Sequence, residues 1–190
     1  MSDFTEFMGE LLELGMNANP TCPFTACIID GSGQILVTAC NATHISPLYS
    51  AESLALHIIA SEFDCSTDHP LTLVATAEMD ESSLAALFRA KRRGINITEL
   101  VYGASREDLK KIWKDDPSRS LSIALESYPK PFRDSLTIHP PVLREECVDA
   151  FSEGAELKRS GEAPVKSLDL DQYWMTEDWL LDDWEDILEE

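Results

Sequence analysis

Apolar positions at the start of the chain recur at helical spacing, with Phe4, Phe7, Met8, Leu11, Leu12 and Leu14 forming one side. Ser2 or Asp3 stands where an N-cap belongs, so the pattern predicts a first helix ending near Met16. Asn19-Pro20 closes it, because the ring restricts the preceding residue and brings no N–H to continue the ladder. The period then changes. Residues 24–29 are a strand-length apolar run, Asp30-Gly31-Ser32-Gly33 is a hairpin turn, and 34–41 is the returning strand. An irregular stretch, 42–49, leads into a helical pattern over 50–63. Beyond a polar loop at 65–70, residues 71–77 (LTLVATA) read as a buried strand and 81–93 as a helix. Gly94 ends that helix, and Arg89, Lys91, Arg92 and Arg93 occupy its last turns, where cations suit the helix dipole. A fourth strand is expected at 99–102, a helix capped by Ser105 at 106–113, and a further helix at 142–157 behind Pro140-Pro141. The stretch 121–138, with Pro129 and Pro131, shows neither period. A helix, a hairpin, then alternating helices and strands predict an α/β fold with helices on both faces of a mixed sheet.

The pattern divides the chain into a domain over 1–157, a linker over 158–167 containing Gly161 and Pro164, and a terminal segment over 168–190. In that segment (LDLDQYWMTEDWLLDDWEDILEE) Thr176 is placed to cap a helix whose face holds Leu180, Leu181, Trp184, Ile187 and Leu188. With Tyr173, Trp174 and Trp179 added it is too aromatic for a plain solubilising tail. It is expected to dock on its own domain or on a second subunit, in preference to a separate partner with a basic-rimmed groove.

Charge changes the picture in one respect. The net charge of −20 opposes non-specific nucleic-acid binding, which depends on Lys and Arg neutralising phosphates. Residues 168–190 carry ten acids and no Lys or Arg, which leaves −10 on the other 167 residues. No apolar run has the length of a membrane span, and the N-terminal MSDFTEFMGELLEL is acidic where a targeting peptide is basic. A cytoplasmic location without membrane contact is the expectation. The five cysteines (Cys22, Cys27, Cys40, Cys65 and Cys147) are odd in number and contain no CxxC, which points to reduced thiols. Cys40 and His44 have ligand-like spacing, but no further ligand lies near them in sequence.

The candidate chemistry centres on two predicted helix starts, Tyr49-Ser50-Ala51-Glu52 and Glu78-Met79-Asp80-Glu81-Ser82-Ser83. They resemble the H-x-E and P-C-x-x-C helix starts of zinc-dependent nucleobase deaminases, with Ser50 at the His position, Glu52 at the proton-shuttling Glu, and Asp80 and Ser83 at the two Cys positions. Further stretches are similar to the same family: Pro23-Phe24-Thr25-Ala26-Cys27-Ile28-Ile29 before the turn, Asn41 after the second strand, and Leu84-Ala85-Ala86-Leu87 after Ser83. Val101-Tyr102-Gly103-Ala104-Ser105-Arg106-Glu107-Asp108 and Val142-Leu143-Arg144-Glu145-Glu146-Cys147 match guanine deaminases in particular. Residues 1–157 are thus identified as resembling the cytidine deaminase-like superfamily, in the guanine deaminase and tRNA adenosine deaminase branch. The stretch between Asn41 and Glu52 is shorter than the family's.

The resemblance implies a three-layer helix–sheet–helix sandwich on a mixed sheet of about five strands, and a homodimer or heterodimer. It also implies a zinc ion that lowers the pKa of a bound water, yet Ser50 and Ser83 offer neutral hydroxyls and only Asp80 a carboxylate. No cofactor and no metal ligand is therefore expected. Glu52 remains as the candidate acid/base, or as a carboxyl that hydrogen-bonds a nucleobase edge; equally, it reads as an acid countering a helix dipole. Glu78, Asp80 and Glu81 have the same dipole reading, beside that of an oxygen-ligand metal site. Phe24, Asn41, His44, Ser50, Asp80 and Ser83 are the expected pocket lining. The leading expectation is a zinc-free deaminase-fold protein that binds a purine or nucleobase-like ligand, or serves as a regulatory or partner subunit. The rival is an active non-zinc hydrolase or deaminase-like enzyme using Glu52; a purely structural role is the third reading.

Overall fold

The strand Thr25–Ile29 (β1) is buried along its whole length, which only a central strand covered on both faces sustains. In the computed structural model, which describes residues 4–62, 69–114, 116–161 and 174–176, β1 lies between Ile35–Cys40 (β2) and Leu71–Ala77 (β3), antiparallel to both. β3 runs parallel to Ile97–Ala104 (β4), and β4 parallel to the two-residue Thr137–Ile138 (β5). These are the five strands of the mixed sheet expected from the resemblance. A sixth, Trp174–Thr176 (β6), pairs antiparallel with the outer edge of β2, giving the order β5-β4-β3-β1-β2-β6.

Strand side chains alternate between two cores, as period two requires. Ala26 and Ile28 join Leu71, Leu73 and Leu100 beneath Ala51–Glu62 (α2) and Glu81–Arg92 (α3). Cys27 and Ile29 join Val74 and Val101 beneath Thr5–Ala18 (α1), Arg106–Ile112 (α4) and Arg144–Ser160 (α7), through Met8, Leu11, Leu109 and Phe151. The result is a helix–sheet–helix sandwich. The hairpin turn is held by Asp30, whose Oδ1 accepts from the N–H groups of Ser32 (2.8 Å) and Gln34 (3.0 Å), while Gly33 takes a φ of 89° that favours glycine.

Several expectations are corrected. The stretch 121–138, which showed no period, holds the short helices Leu121–Leu125 (α5) and Lys130–Asp134 (α6) besides β5. α7 continues to Ser160, three residues into the expected linker; Lys158 and Arg159 suit its C-terminal dipole, and Gly161 at φ 70° ends it. Thr176 is the last residue of β6, and the helix expected to follow it lies outside the described residues, as do Ser2, Asp3 and Cys65. α1 begins behind Phe4 with no side-chain cap. Among the described residues no helix is long and apolar enough to cross a membrane. Cys22, Cys27, Cys40 and Cys147 are free thiols, and burial pushes Cys27 and Cys147 up to about 12.

Candidate functional site

Parallel strands deliver their following residues to one edge of the sheet, where α/β proteins bind ligands. Here β3 is followed by Glu78, Met79 and Asp80, and β4 by Ser105 and Arg106. The start of α2 reaches the same edge. Ser50 caps α2, its Oγ accepting from the Ser53 N–H at 3.2 Å. Asp80 caps α3, its Oδ1 accepting from the Ser83 N–H and the Ser82 hydroxyl, both at 2.7 Å.

The two helix starts meet through hydroxyls. Ser50 Oγ and Ser83 Oγ are 2.9 Å apart, Ser53 Oγ donates to Ser83 Oγ at 3.5 Å, and Ser83 Oγ donates to Glu52 Oε2 at 3.4 Å. Ser83 is wholly buried and Glu52 is 3% exposed. Burial raises the Glu52 carboxyl above its ordinary range, and the neighbouring Asp80 charge adds to this against the opposing pull of Arg106. Burial also acts on Asp80, but there the hydrogen bonds from Ser83 and Ser82, with Arg106, outweigh it and hold the carboxyl below its usual range. Two neighbouring carboxyls are thus driven apart, one toward holding a proton and one toward staying ionised, an arrangement suited to moving or sharing a proton.

Zinc does not fit the residues present. Zinc sites use thiolate, imidazole and carboxylate, whereas Ser50 and Ser83 are neutral hydroxyls that hydrogen-bond each other, and the Asp80 oxygen is committed to capping α3. No group of three or more His, Cys, Asp or Glu among the described residues is arranged to hold a metal.

Beside this cluster lies a cavity of about 510 Å³ with Phe24, Ile112 and Trp113 on its apolar side and Asp80, Arg106 and Asp116 among its polar groups. The Phe24 ring stacks on Trp113 at 5.6 Å and meets Phe151 at 4.5 Å. From the sequence-derived set, Ser50, Glu52, Asp80 and Ser83 thus form one cluster, and Phe24 shares with Asp80 the wall of the cavity beside it. Asn41 and His44 line a second cavity of about 430 Å³, with Asn19, Cys22 and Lys158. There Asn41 braces its own loop: its Oδ1 accepts from the Thr43 N–H at 3.2 Å and its Nδ2 donates to the Cys22 carbonyl at 3.5 Å.

Sequence reasoning missed two groups. Arg106, noted only within the Arg106-Glu107-Asp108 run, is 7% exposed and faces Asp116, Nη1 to Oδ2 at 3.5 Å. Its Nε is buried and has no hydrogen-bond partner among the described residues; an unpaired buried donor ordinarily costs about 1–3 kcal/mol, and more for a charged group. Glu78, read as an acid serving the start of α3, instead joins two other helices. Its Oε2 accepts from the Arg106 N–H and its Oε1 from the Leu121 N–H, both at 2.6 Å, so it anchors the starts of α4 and α5. Glu81 is drawn outward to Arg119, Nε to Oε1 at 2.9 Å.

No protein-family model matches the chain, and no curated protein matches it. Solved structures do. The guanine deaminase from Nitrosomonas europaea aligns with a TM-score of 0.67 at 22% identity, over 82% of this chain and 86% of that one. The structure of NE0047 in complex with 2,6-diaminopurine aligns with a TM-score of 0.66 at 21% identity, over 82% and 83%. A structure from work on A-to-I editing by tRNA deaminases at the wobble position of transfer RNA aligns with a TM-score of 0.51 at 20% identity, over 77% of this chain and 99% of that one. The sheet order, the two helix starts at its edge and these alignments agree: the chain has the fold of the cytidine deaminase-like superfamily.

Proposed function

We propose that this protein is a zinc-free deaminase-fold protein that binds a purine or nucleobase-like ligand, acting as a binding or regulatory subunit. The observation that carries the reading is the Ser50–Ser83 hydrogen bond, 2.9 Å, closed across the positions where the family resemblance puts metal ligands, with the buried Glu52 carboxyl kept beside it. A cavity of about 510 Å³ with an aromatic wall and convergent polar groups suits a planar heterocycle. The neighbouring folds carry ligands of that kind, 2,6-diaminopurine and 8-azaguanine. Ionised Asp80, on the cavity wall, accepts a ligand N–H, and Glu52, biased toward its protonated form, stands behind it in the hydrogen-bonded cluster.

The divergent states of Glu52 and Asp80 also favour a second reading, a metal-free hydrolase in which Glu52 carries the proton. Zinc content tests both readings, and binding against turnover separates them. Elemental analysis of protein purified without chelator or metal resin is expected to find less than about a tenth of a zinc per chain; stoichiometric zinc defeats the proposal. Calorimetric titration with 8-azaguanine and 2,6-diaminopurine is expected to show saturable binding that Glu52→Ala weakens. Turnover of a purine that disappears in Glu52→Ala assigns the enzymatic reading instead.

A further inference from the structure

The cavity beside the helix starts contains a cation that the binding reading leaves unexplained. Arg106 is held by its backbone, whose N–H is fixed to Glu78 Oε2 at 2.6 Å, so the guanidinium is presented from a rigid helix start. Among the described residues its one polar side-chain contact is the 3.5 Å approach to Asp116. A guanidinium carries five N–H donors, and among the described residues the buried Nε donor has no acceptor. The adjoining surfaces are the Phe24 and Trp113 rings on one side and Asp80 on the other.

We infer that Arg106 is a specificity-determining residue of this cavity, donating to an exocyclic oxygen of a planar heterocycle stacked along the Phe24–Trp113 wall. The inference rests on the nucleobase-binding reading above. Asp80 and Asp116 face the guanidinium and Lys114 also lines the cavity, so the lining charges balance and a neutral oxo group matches the guanidinium donors without adding net charge. A site built around a donor rejects a ligand lacking the matching acceptor, because the donor is then left buried and unpaired.

The test compares hypoxanthine with purine, which differ by that oxygen and the N1–H that accompanies it, in calorimetric titrations of the full chain; the Arg106 variants isolate the contribution of the oxygen. Wild type is expected to bind hypoxanthine at least about tenfold more tightly, the fold-change for one hydrogen bond to a charged group. Arg106→Gln and Arg106→Lys, both checked for folding by thermal melts, are expected to cut that preference to about threefold or less. Arg106→Lys keeps the charge without the fork, so it keeps the experiment decisive where Arg106→Gln fails to fold. Equal binding of the two bases by wild type, or a preference that survives Arg106→Lys, overturns the role of Arg106 while leaving the binding reading intact. Absence of binding by either base, with 8-azaguanine and 2,6-diaminopurine also silent, removes the binding reading and this inference with it.

Discussion

Replacing Glu78 with Ala takes one buried carboxylate away from two helices at once. Glu78 is 5% exposed, and its two oxygens receive the Arg106 and Leu121 N–H groups at 2.6 Å each. A hydrogen bond to a charged group contributes about 1.5–3 kcal/mol, and the two share a carboxylate, so their loss is less than additive. Two backbone donors are left without acceptors in a buried region, and the favourable charge at two helix starts disappears. The expected cost of Glu78→Ala is about 3–4 kcal/mol. Glu78→Gln keeps one acceptor but turns an NH₂ group toward the second N–H, and is expected to cost about 2 kcal/mol. At roughly 2–4 °C per kcal/mol for a chain of this size, the Ala variant should melt roughly 6–16 °C below wild type. Urea denaturation followed by circular dichroism measures both variants, with an unchanged m-value confirming that the midpoint shift is a stability change. A loss below about 1 kcal/mol for Glu78→Ala at unchanged m would refute Glu78 as the anchor of α4 and α5, and with it the rigid presentation of Arg106.

Three further outcomes are expected. Ser50→His combined with Asp80→Cys and Ser83→Cys should gain stoichiometric zinc by elemental analysis, because the two helix starts already converge; a metal-free triple variant that still folds counts against that convergence. Glu52 has a raised folded pKa, so the folded chain binds more protons than the unfolded chain above the ordinary carboxyl range, and stability falls as pH rises through the folded pKa. Glu52→Gln lacks this loss: melting temperatures from pH 4 to pH 9 should show the variant gaining on wild type with rising pH, and parallel curves would contradict a raised Glu52. Deleting residues 168–190 removes β6 and uncovers the apolar β2 edge, so the truncated chain should melt lower and self-associate in light scattering; an unchanged melt and mass would mean that β6 does not cover that edge.

The legibility of this chain varied with the range of the interactions involved. Strand β3 was read to the residue, because LTLVATA is continuously apolar and bounded by Pro70 and an acidic helix start. The hairpin was equally plain, since a turn chemistry as local as Asp30 accepting from Ser32 and Gln34 is contained within its own five residues. β5 and α6 were not legible. A two-residue strand exists only because β4 offers it an edge, and Phe132 is buried only because Phe88 and Tyr128 pack against it. β6 was not legible either, because Trp174-Met175-Thr176 takes strand form only where the edge of β2 pairs with it.

The sequence by itself determined the fold class and the chemical types at the two helix starts. Periodicity of apolar residues is local, and the side chains at the two helix starts are covalent facts: hydroxyls at 50 and 83 and a carboxyl at 80 where the resemblance implies imidazole and thiolates, with a carboxyl kept at 52. Tertiary structure alone decided which of these groups act on one another. That Ser50 and Ser83 share a hydrogen bond, that Glu52 loses solvent while Asp80 stays ionised, and that Glu78 serves α4 and α5 rather than α3 depend on contacts between residues 28 to 43 positions apart. Arg106 shows the reason most clearly. An arginine at a helix start is ordinarily solvated, and burial in a cavity wall with an unmatched donor arises only when β4, α4 and the strand end carrying Asp80 close around it.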